Sequence, residues 1–318
     1  MRVLTKKNLL ILGIILLIFI VIQLLIIAGV INPFYEITLA MICINIILAA
    51  SLNLVTGFTG QFSLGHAGFM SIGAYVCALI VMSMNSALGF LIGTLAGALM
   101  AALVGVLVGI PTLRLRGDYL AIATLGMAEI IRVIFLNMEI TNGAAGLSGI
   151  PRYTNWIWLF LFTTAAILFI NNFIKSSHGR ACISIREDEV AAESMGINTT
   201  KYKVMAFAIG AFFAGTAGAL YASYFYVIKP NIFGFLKSID ILVIVVLGGM
   251  GSLTGSVLAA ALLAILTTFL QSFTAVRMIL YAALLVLIMI FRPQGIMGTK
   301  EINDLFKFRP RKKDERIE

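Results

Sequence analysis

Three groups of side chains have types and spacings that suggest chemistry. In the first, Ser63 and His66 stand three apart, close to Asn53 and Gln61, in a stretch interrupted by Gly57 and Gly60. A serine beside a histidine suggests a nucleophile and its base. Such a pair also needs a group that orients the imidazole and donors for an oxyanion, and the surrounding residues offer neither. The same polar groups suit two other tasks: lining a path for a solute, or satisfying backbone groups freed where a helix is broken. In the second group, Glu129 precedes Arg132 by three residues within an apolar run. Ionisable side chains at membrane depth mark functional sites by default, yet this spacing also lets the two neutralise each other on one helix. A solute or gate role and internal pairing both stay open. Asp240 begins a later apolar run, where a carboxylate suits a helix N-terminus.

The third group is the polar run His178–Phe207, HGRACISIREDEVAAESMGINTTKYKVMAF. Arg186 to Met195 has helix-forming composition, and Gly196 suits the position just past a helix end. On one continuous helix, Arg186, Glu189 and Glu193 share a face, and Glu187, Ala191 and Met195 share another. A short helix of this kind cannot span a bilayer. It can lie at the membrane surface and insert into a partner, and so long a polar loop in a chain of short loops favours that use. Cys43, Cys77 and Cys182 are too far apart for a metal or redox motif. The chain has no Gly-x-x-x-x-Gly-Lys-Ser/Thr loop to cradle a phosphate. No catalytic residue, metal site or cofactor is expected.

The elements that must position these groups are membrane spans. The 318 residues are 61% hydrophobic and 12% charged, where a soluble domain carries about 25% charged residues. Runs of the length needed to cross a hydrocarbon core of about 30 Å recur throughout. They are expected near 9–30, 36–55, 61–83, 88–110, 119–138, 155–174, 204–225, 239–250, 254–273 and 277–292. The first is too long for a signal-peptide core and has no small-residue cleavage site, so it reads as an uncleaved helix.

The net charge of +9 does not point to nucleic acid, because its basic residues flank the spans. They cluster at Arg2, Lys6 and Lys7, at Arg114 and Arg116, in the loop 175–203, and in the tail from Lys300. Alternation over ten spans puts all four clusters on the cytoplasmic side, as the positive-inside rule requires. Lys229, Lys237 and Arg277 fall on the other side. The fold expected is all-α and polytopic, with about ten transmembrane helices (eight to ten). A membrane domain over 1–299 carries the cytoplasmic loop 175–203 and is followed by a basic cytoplasmic tail, 300–318. Gly57 and Gly60 have the spacing of Gly248 and Gly251, and each pair runs into a polar residue, Gln61 or Ser252. Matching Gly-interrupted segments point to an inverted repeat and a solute path near the midplane.

The loop resembles the coupling segment of bacterial ABC importer permeases, whose loose pattern is Glu-Ala-Ala followed by a glycine. Here Val190-Ala191-Ala192 precedes Gly196, so Val190 stands in place of the leading acid and Glu189 lies one residue earlier. GRACISIREDEVAAESMGIN resembles more closely the version in branched-chain amino-acid permeases of the LivM type. NLVTGFTGQFSLGHAGFMSIGAY from Asn53, GDYLAIATLGMAEIIR from Gly117, TNGAAGLSGIP from Thr141, VVLGGMGSLTGSVLAAALL from Val245 and RPQGIMG from Arg292 extend the likeness over nearly the whole chain.

That resemblance implies a permease subunit in the bacterial inner membrane, with both termini cytoplasmic and no enzymatic activity of its own. Its implied partners are a homologous second permease, two cytoplasmic ATPase subunits that use the ATP, and an extracytoplasmic solute-binding protein. The coupling residues would be Gly179, Arg180, Arg186, Glu187, Asp188, Glu189, Ala191, Ala192, Glu193 and Gly196. Candidates for the solute path are Asn53, Gly57, Gly60, Gln61, Ser63, His66 and Glu129. The implied cargo is a branched-chain or other hydrophobic amino acid. A urea or short-chain amide permease shares the same look. An ion-coupled secondary transporter would want paired titratable groups at mid-membrane and would leave the long loop without a purpose.

Overall fold

The computed structural model describes residues 6–270 except 30, 114 and 116, together with 279, 283, 286, 290 and 295–298. Arg114, Arg116, Arg277, the tail 300–318 and most of the expected span 277–292 lie outside the described residues. The chain forms α1 (Lys6–Ile27), α2 (Pro33–Asn53), α3 (His66–Met84), α4 (Ala87–Thr112), α5 (Asp118–Asn137) and α6 (Trp156–Lys175). It continues with α7 (Ser177–Glu187), α8 (Glu189–Ser194), α9 (Thr199–Phe225), α10 (Phe235–Gly248) and α11 (Leu253–Phe269). Seven segments among the described residues are long and apolar enough to cross a membrane: those built on α2 to α6, α9 and α10. The protein is an all-α polytopic membrane protein, with the further apolar helices α1 and α11.

Helix ends follow the local chemistry. Pro33 opens α2 with Glu36 in its first turn, Ser86 caps α4 by accepting from the Gly89 amide, and Asn198 caps α9 by accepting from Lys201. Asn85 and Tyr226 close α3 and α9 in the left-handed region. Two expected boundaries move. The helix expected from residue 61 starts at His66, because Gln61–Gly65 form an irregular link. The short eighth span gains length from a 3-10 turn, Pro230–Phe233, ahead of α10.

The bundle core is α3, α4 and α9, with α2 packed on α6, α9, α10 and α11. Without a hydrophobic drive between spans in lipid, small residues decide how closely they approach. A Cβ on Gly73 of α3 would collide with the Gly215 carbonyl of α9, and one on Gly97 of α4 would lie 2.7 Å from the Gly73 oxygen. The three helices cross backbone to backbone there.

Contacts between turns assign the two sides. Arg186 of α7 reaches Gly57 after α2, and Asn53 reaches Ser252 before α11. The ends of α2, α6 and α10 thus meet at one side. At the other, the Tyr153 hydroxyl bonds Asn85, the two-residue strands β1 (Leu147–Ser148) and β2 (Val227–Ile228) pair antiparallel, and Arg152 lies 3.7 Å from Glu36.

Candidate functional site

The site is built where α2 ends. After Asn53 the helix widens into a π-helical turn, Leu54–Phe58, a device that recurs at functional positions in helices. Asn53 is fully buried and its amide makes three bonds across the gap. Its Nδ2 donates to the Ser252 carbonyl and to Ser256 Oγ, both at 2.8 Å, and its Oδ1 accepts from the Gly251 amide at 2.8 Å. The two glycine junctions noticed in the sequence therefore touch. A Cβ on Gly57 would run into the Gly251 amide nitrogen, and Gly251 holds φ +92°, which only glycine adopts readily. Both junctions stand at the α7 end of their segments, not part-way along them: Gly57 lies near the end of a 26-residue apolar segment.

A side chain from the loop 175–203 enters this contact. Arg186 Nη1 donates to the Gly57 carbonyl at 2.9 Å, and the Arg186 Nη1 atom lies 2.8 Å from where a Gly251 Cβ would be. A Cβ on Gly60 would sit 3.1 Å from Arg186 Cγ. The guanidinium also holds Glu187 through Nε and Nη2. Arg186 is thus a bolt from α7 into the joint of α2 with α10 and α11.

The expected single helix from Arg186 to Met195 is two helices. Asp188 leaves the helical region (φ −155°) and its carboxylate accepts from the Val190 and Ala191 amides at 2.9 and 3.0 Å. Aspartate competes for backbone donors in this way, which disfavours helix interiors and favours N-caps. Because of the break, Arg186 does not share a face with Glu189 and Glu193. Gly196, at φ +82°, closes α8 as expected: its amide bonds the Glu193 carbonyl and the Ile197 amide bonds Ala192, the pair of bonds of a Schellman cap.

The ten loop residues divide by orientation. Gly179 fits where any Cβ would strike the last carbonyls of α6, and Arg180 caps that helix through the Lys175 carbonyl at 3.0 Å. Glu189 is held at 2.6 Å by Lys203 of α9, a nearly buried lysine. Ala192 faces in. Glu187, Ala191 and Glu193 face out, beside Val190 at 65% exposure and Met195 at 83%. Met195 was expected on a helix face, but its role as the most exposed apolar tip was not read from the sequence. An apolar side chain at the outward end of a charged loop was the available signal. Lys203, the anchor of Glu189, was also missed, being 14 residues away.

The solute-path candidates do not converge. Asn53, Gly57, Gly60, Gln61, Ser63 and His66 cluster at the α2–α3 link, while Glu129 lies on α5. His66 Nε2 pairs with Ser51 Oγ at 2.8 Å rather than with Ser63, whose oxygen accepts only weakly from Gly65 at 3.4 Å. That arrangement does not build a nucleophile and base. Gln61 is buried, and neither its amide nitrogen nor its amide oxygen has a partner among the described residues. Glu129 accepts from Arg132 Nε at 2.7 Å, the internal pairing the spacing allowed, and Arg132 Nη1 reaches Asn231 Oδ1 at 3.1 Å. Cys182 of α7 packs between Thr59 and the Tyr202 carbonyl, and burial pushes its thiol up to about 11. No cluster of residues able to hold a metal occurs among the described residues.

Comparison with known proteins bears on the same segments. The family model described as branched-chain amino acid transport system / permease component matches residues 34–290. The chain is 38% identical over 292 residues to the high-affinity branched-chain amino acid transport system permease protein LivM of Salmonella typhimurium, covering 81% of this chain and 68% of that protein. It is 38% identical over 295 residues to LivM of Escherichia coli, covering 82% and 68%. The LivH permease of Escherichia coli is 28% identical over 289 residues, 80% of this chain and 92% of LivH. No solved structure matches the chain significantly. The matched region runs from the start of α2 through the Arg186 bolt and both glycine junctions, and the chain belongs to the family of branched-chain amino acid transport system permease components.

Proposed function

We propose that the chain is one permease subunit of an ABC importer and moves branched-chain amino acids across the bacterial inner membrane, with both termini cytoplasmic. It hydrolyses nothing itself. Two ATPase subunits on the cytoplasmic side supply the energy, a homologous second permease completes the path, and an extracytoplasmic binding protein delivers the solute.

The observation that carries this reading is the orientation of α7 and α8. A six-residue helix holds Val190 and Met195 in the open, where apolar side chains gain from being covered. Behind that tip, Lys203–Glu189 and Arg186–Gly57 tie the unit to α9 and to the α2 joint. An ATPase subunit that grips the tip and closes on ATP would pull on this joint. Coupling needs the open and closed states to contact the loop differently. The loop 175–203 is the proposed contact, with Glu187, Ala191 and Glu193 around the apolar tip. Gln61, whose buried amide lacks a partner among the described residues, and Glu129 are the proposed path residues.

Co-expression with the neighbouring transporter genes tests the reading. The chain is expected to co-purify with an ATPase subunit and, in proteoliposomes with the binding protein, to take up leucine only with ATP. Uptake that continues after the ATPase subunit's phosphate-loop lysine is replaced would refute it.

A further inference from the structure

The outer half of the molecule holds a charged cavity that the coupling reading leaves unused. It lies between α5 and the start of α10, with a volume of about 370 Å³, within the usual range of small-molecule sites. Glu129, Arg132, Asn231, Lys237 and Asp240 supply its polar wall, and Phe235 and Leu236 contribute apolar surface.

Depth makes these charges unusual. Lys237 is the third residue of α10, eleven residues and about 16 Å before Gly248 at a helical rise of 1.5 Å per residue. Glu129 is the twelfth of the twenty residues of α5, about 12 Å from its outer end. Both helices belong to segments that can span the bilayer. Charged side chains at such a level are costly and face a protein interior or a water-filled cavity rather than lipid. The α5 segment is only 28% covered by the rest of the chain, against 72% for the α2 segment. Its charged side therefore borders a path or the second permease, since lipid would not accept it.

The signs of the charges specify a ligand. Glu129 is paired with Arg132, and Lys237 and Asp240 stand three residues apart on α10. Among the described residues two acids and two bases line the cavity, so a solute with one net charge would unbalance that lining. A neutral amide such as urea has no use for four ionisable side chains at this depth. A zwitterion matches: its carboxylate can bond Arg132 or Lys237, its ammonium Glu129 or Asp240, and charge-assisted hydrogen bonds are the strong ones. Resting on the importer reading, we infer that Glu129, Arg132, Lys237 and Asp240 form a binding site for the α-ammonium and α-carboxylate of an amino acid in the outer half of the path.

The test uses the complete importer in proteoliposomes, with ATP-driven uptake of radiolabelled leucine compared among variants that retain the ATPase subunit in wild-type amounts. Glu129→Gln and Lys237→Gln are each expected to lower uptake about tenfold, the scale of one lost charge-assisted hydrogen bond. A combined swap separates recognition from scaffolding: Glu129→Arg with Arg132→Glu, and Lys237→Asp with Asp240→Lys. It keeps the number of charges of each sign and reverses their positions. Uptake that stays about tenfold down supports the site; wild-type uptake by the swapped chain means the four charges serve only the fold, and overturns it. If the swap does not assemble, Leu236→Cys in the otherwise natural chain decides by thiol labelling from the outside. Leucine is expected to slow labelling, while leucinamide and 4-methylpentanoate, each lacking one charge, are not. No protection by leucine, or equal protection by all three, overturns the site. Wild-type vesicles without ATP-driven leucine uptake would instead reject the importer reading itself.

Discussion

The two ends of the membrane domain treat polarity in opposite ways. At the end that carries the proposed coupling loop, polar groups other than the Gln61 amide are consumed by the fold: Asn53 spends its amide on α11 and Gly251, Asp188 caps α8, and Glu189 is held by Lys203. What that end leaves outside is an apolar tip, Val190 and Met195. At the outer end the apolar surface surrounds a cavity, and charges line it. A joint proposed to transmit force benefits from satisfied, rigid contacts, whereas a site proposed to receive a zwitterion needs charge of both signs along its wall. On the function proposed above, partner docking and solute recognition would lie toward opposite ends of α10.

The largest effect is expected where the coupling end is most tightly knit. Asn53→Ala removes the acceptor of the buried Gly251 amide, while Ser252 and Ser256 keep a bond to each other. One orphaned buried donor plus two lost bonds amounts to about 3 kcal/mol. The measurement is thermal unfolding of the purified complex, with a lowered midpoint and reduced yield expected. Unchanged stability would mean that Asn53 faces the path and does not join helices. Next comes Arg186→Ala, which leaves the outward face of α8 intact and cuts its tie to Gly57. ATPase subunits should still co-purify, yet ATP-driven uptake should fall about tenfold, with Arg186→Lys restoring part of it, since a lysine reaches one acceptor where arginine's fork holds two. Equal losses of docking and uptake would place Arg186 at the partner interface instead.

Asp188→Ala should act more weakly. Losing an N-cap costs about 1 kcal/mol, and α8 then frays beneath its exposed tip. ATPase affinity for the permease pair should drop about fivefold, and Asp188→Asn, which still accepts from Val190 and Ala191, should stay near wild type. An equal effect of both variants would assign the role to the charge of Asp188 rather than to its cap.

Much of the fold was legible in sequence because its signals are local. Hydropathy located α2 to α6 and α9, Gly196 announced the end of α8, and the i,i+3 spacing of Glu129 and Arg132 anticipated their bond. The break at Asp188 was missed because the helix-forming composition on either side hid a residue that prefers to cap. The Arg186–Gly57 bond spans 129 residues and the Asn53–Ser252 bond 199, and no periodicity carries information over such separations. Glycine spacing hinted that the two junctions are alike, but not that they touch. The outer cavity was half legible: Glu129 stood out within an apolar run, while Lys237 and Asp240 looked like a topological exception and a helix start.

The smallest effect is a reactivity, and it reports on the joint directly. Cys182 sits in α7 against Thr59, the residue after the π-helical turn, and burial holds its thiol protonated with a pKa of about 11. The thiolate is the reacting form, so maleimide labelling of Cys182 in the assembled protein should be very slow at pH 7. It should accelerate only as pH climbs toward 11, well past the ordinary thiol value of 9.0. If Arg186 is the bolt that keeps α7 on the joint, Arg186→Ala should expose this thiol and speed labelling at pH 7, while the outer-cavity variant Glu129→Gln should not. Faster labelling in both would mean that the two ends of α10 move together, and that occupancy of the outer cavity is felt at the coupling helices. No change in either would leave α7 seated by Gly179 and Arg180 alone, and the bond from Arg186 to Gly57 would be a consequence of that seating rather than its cause.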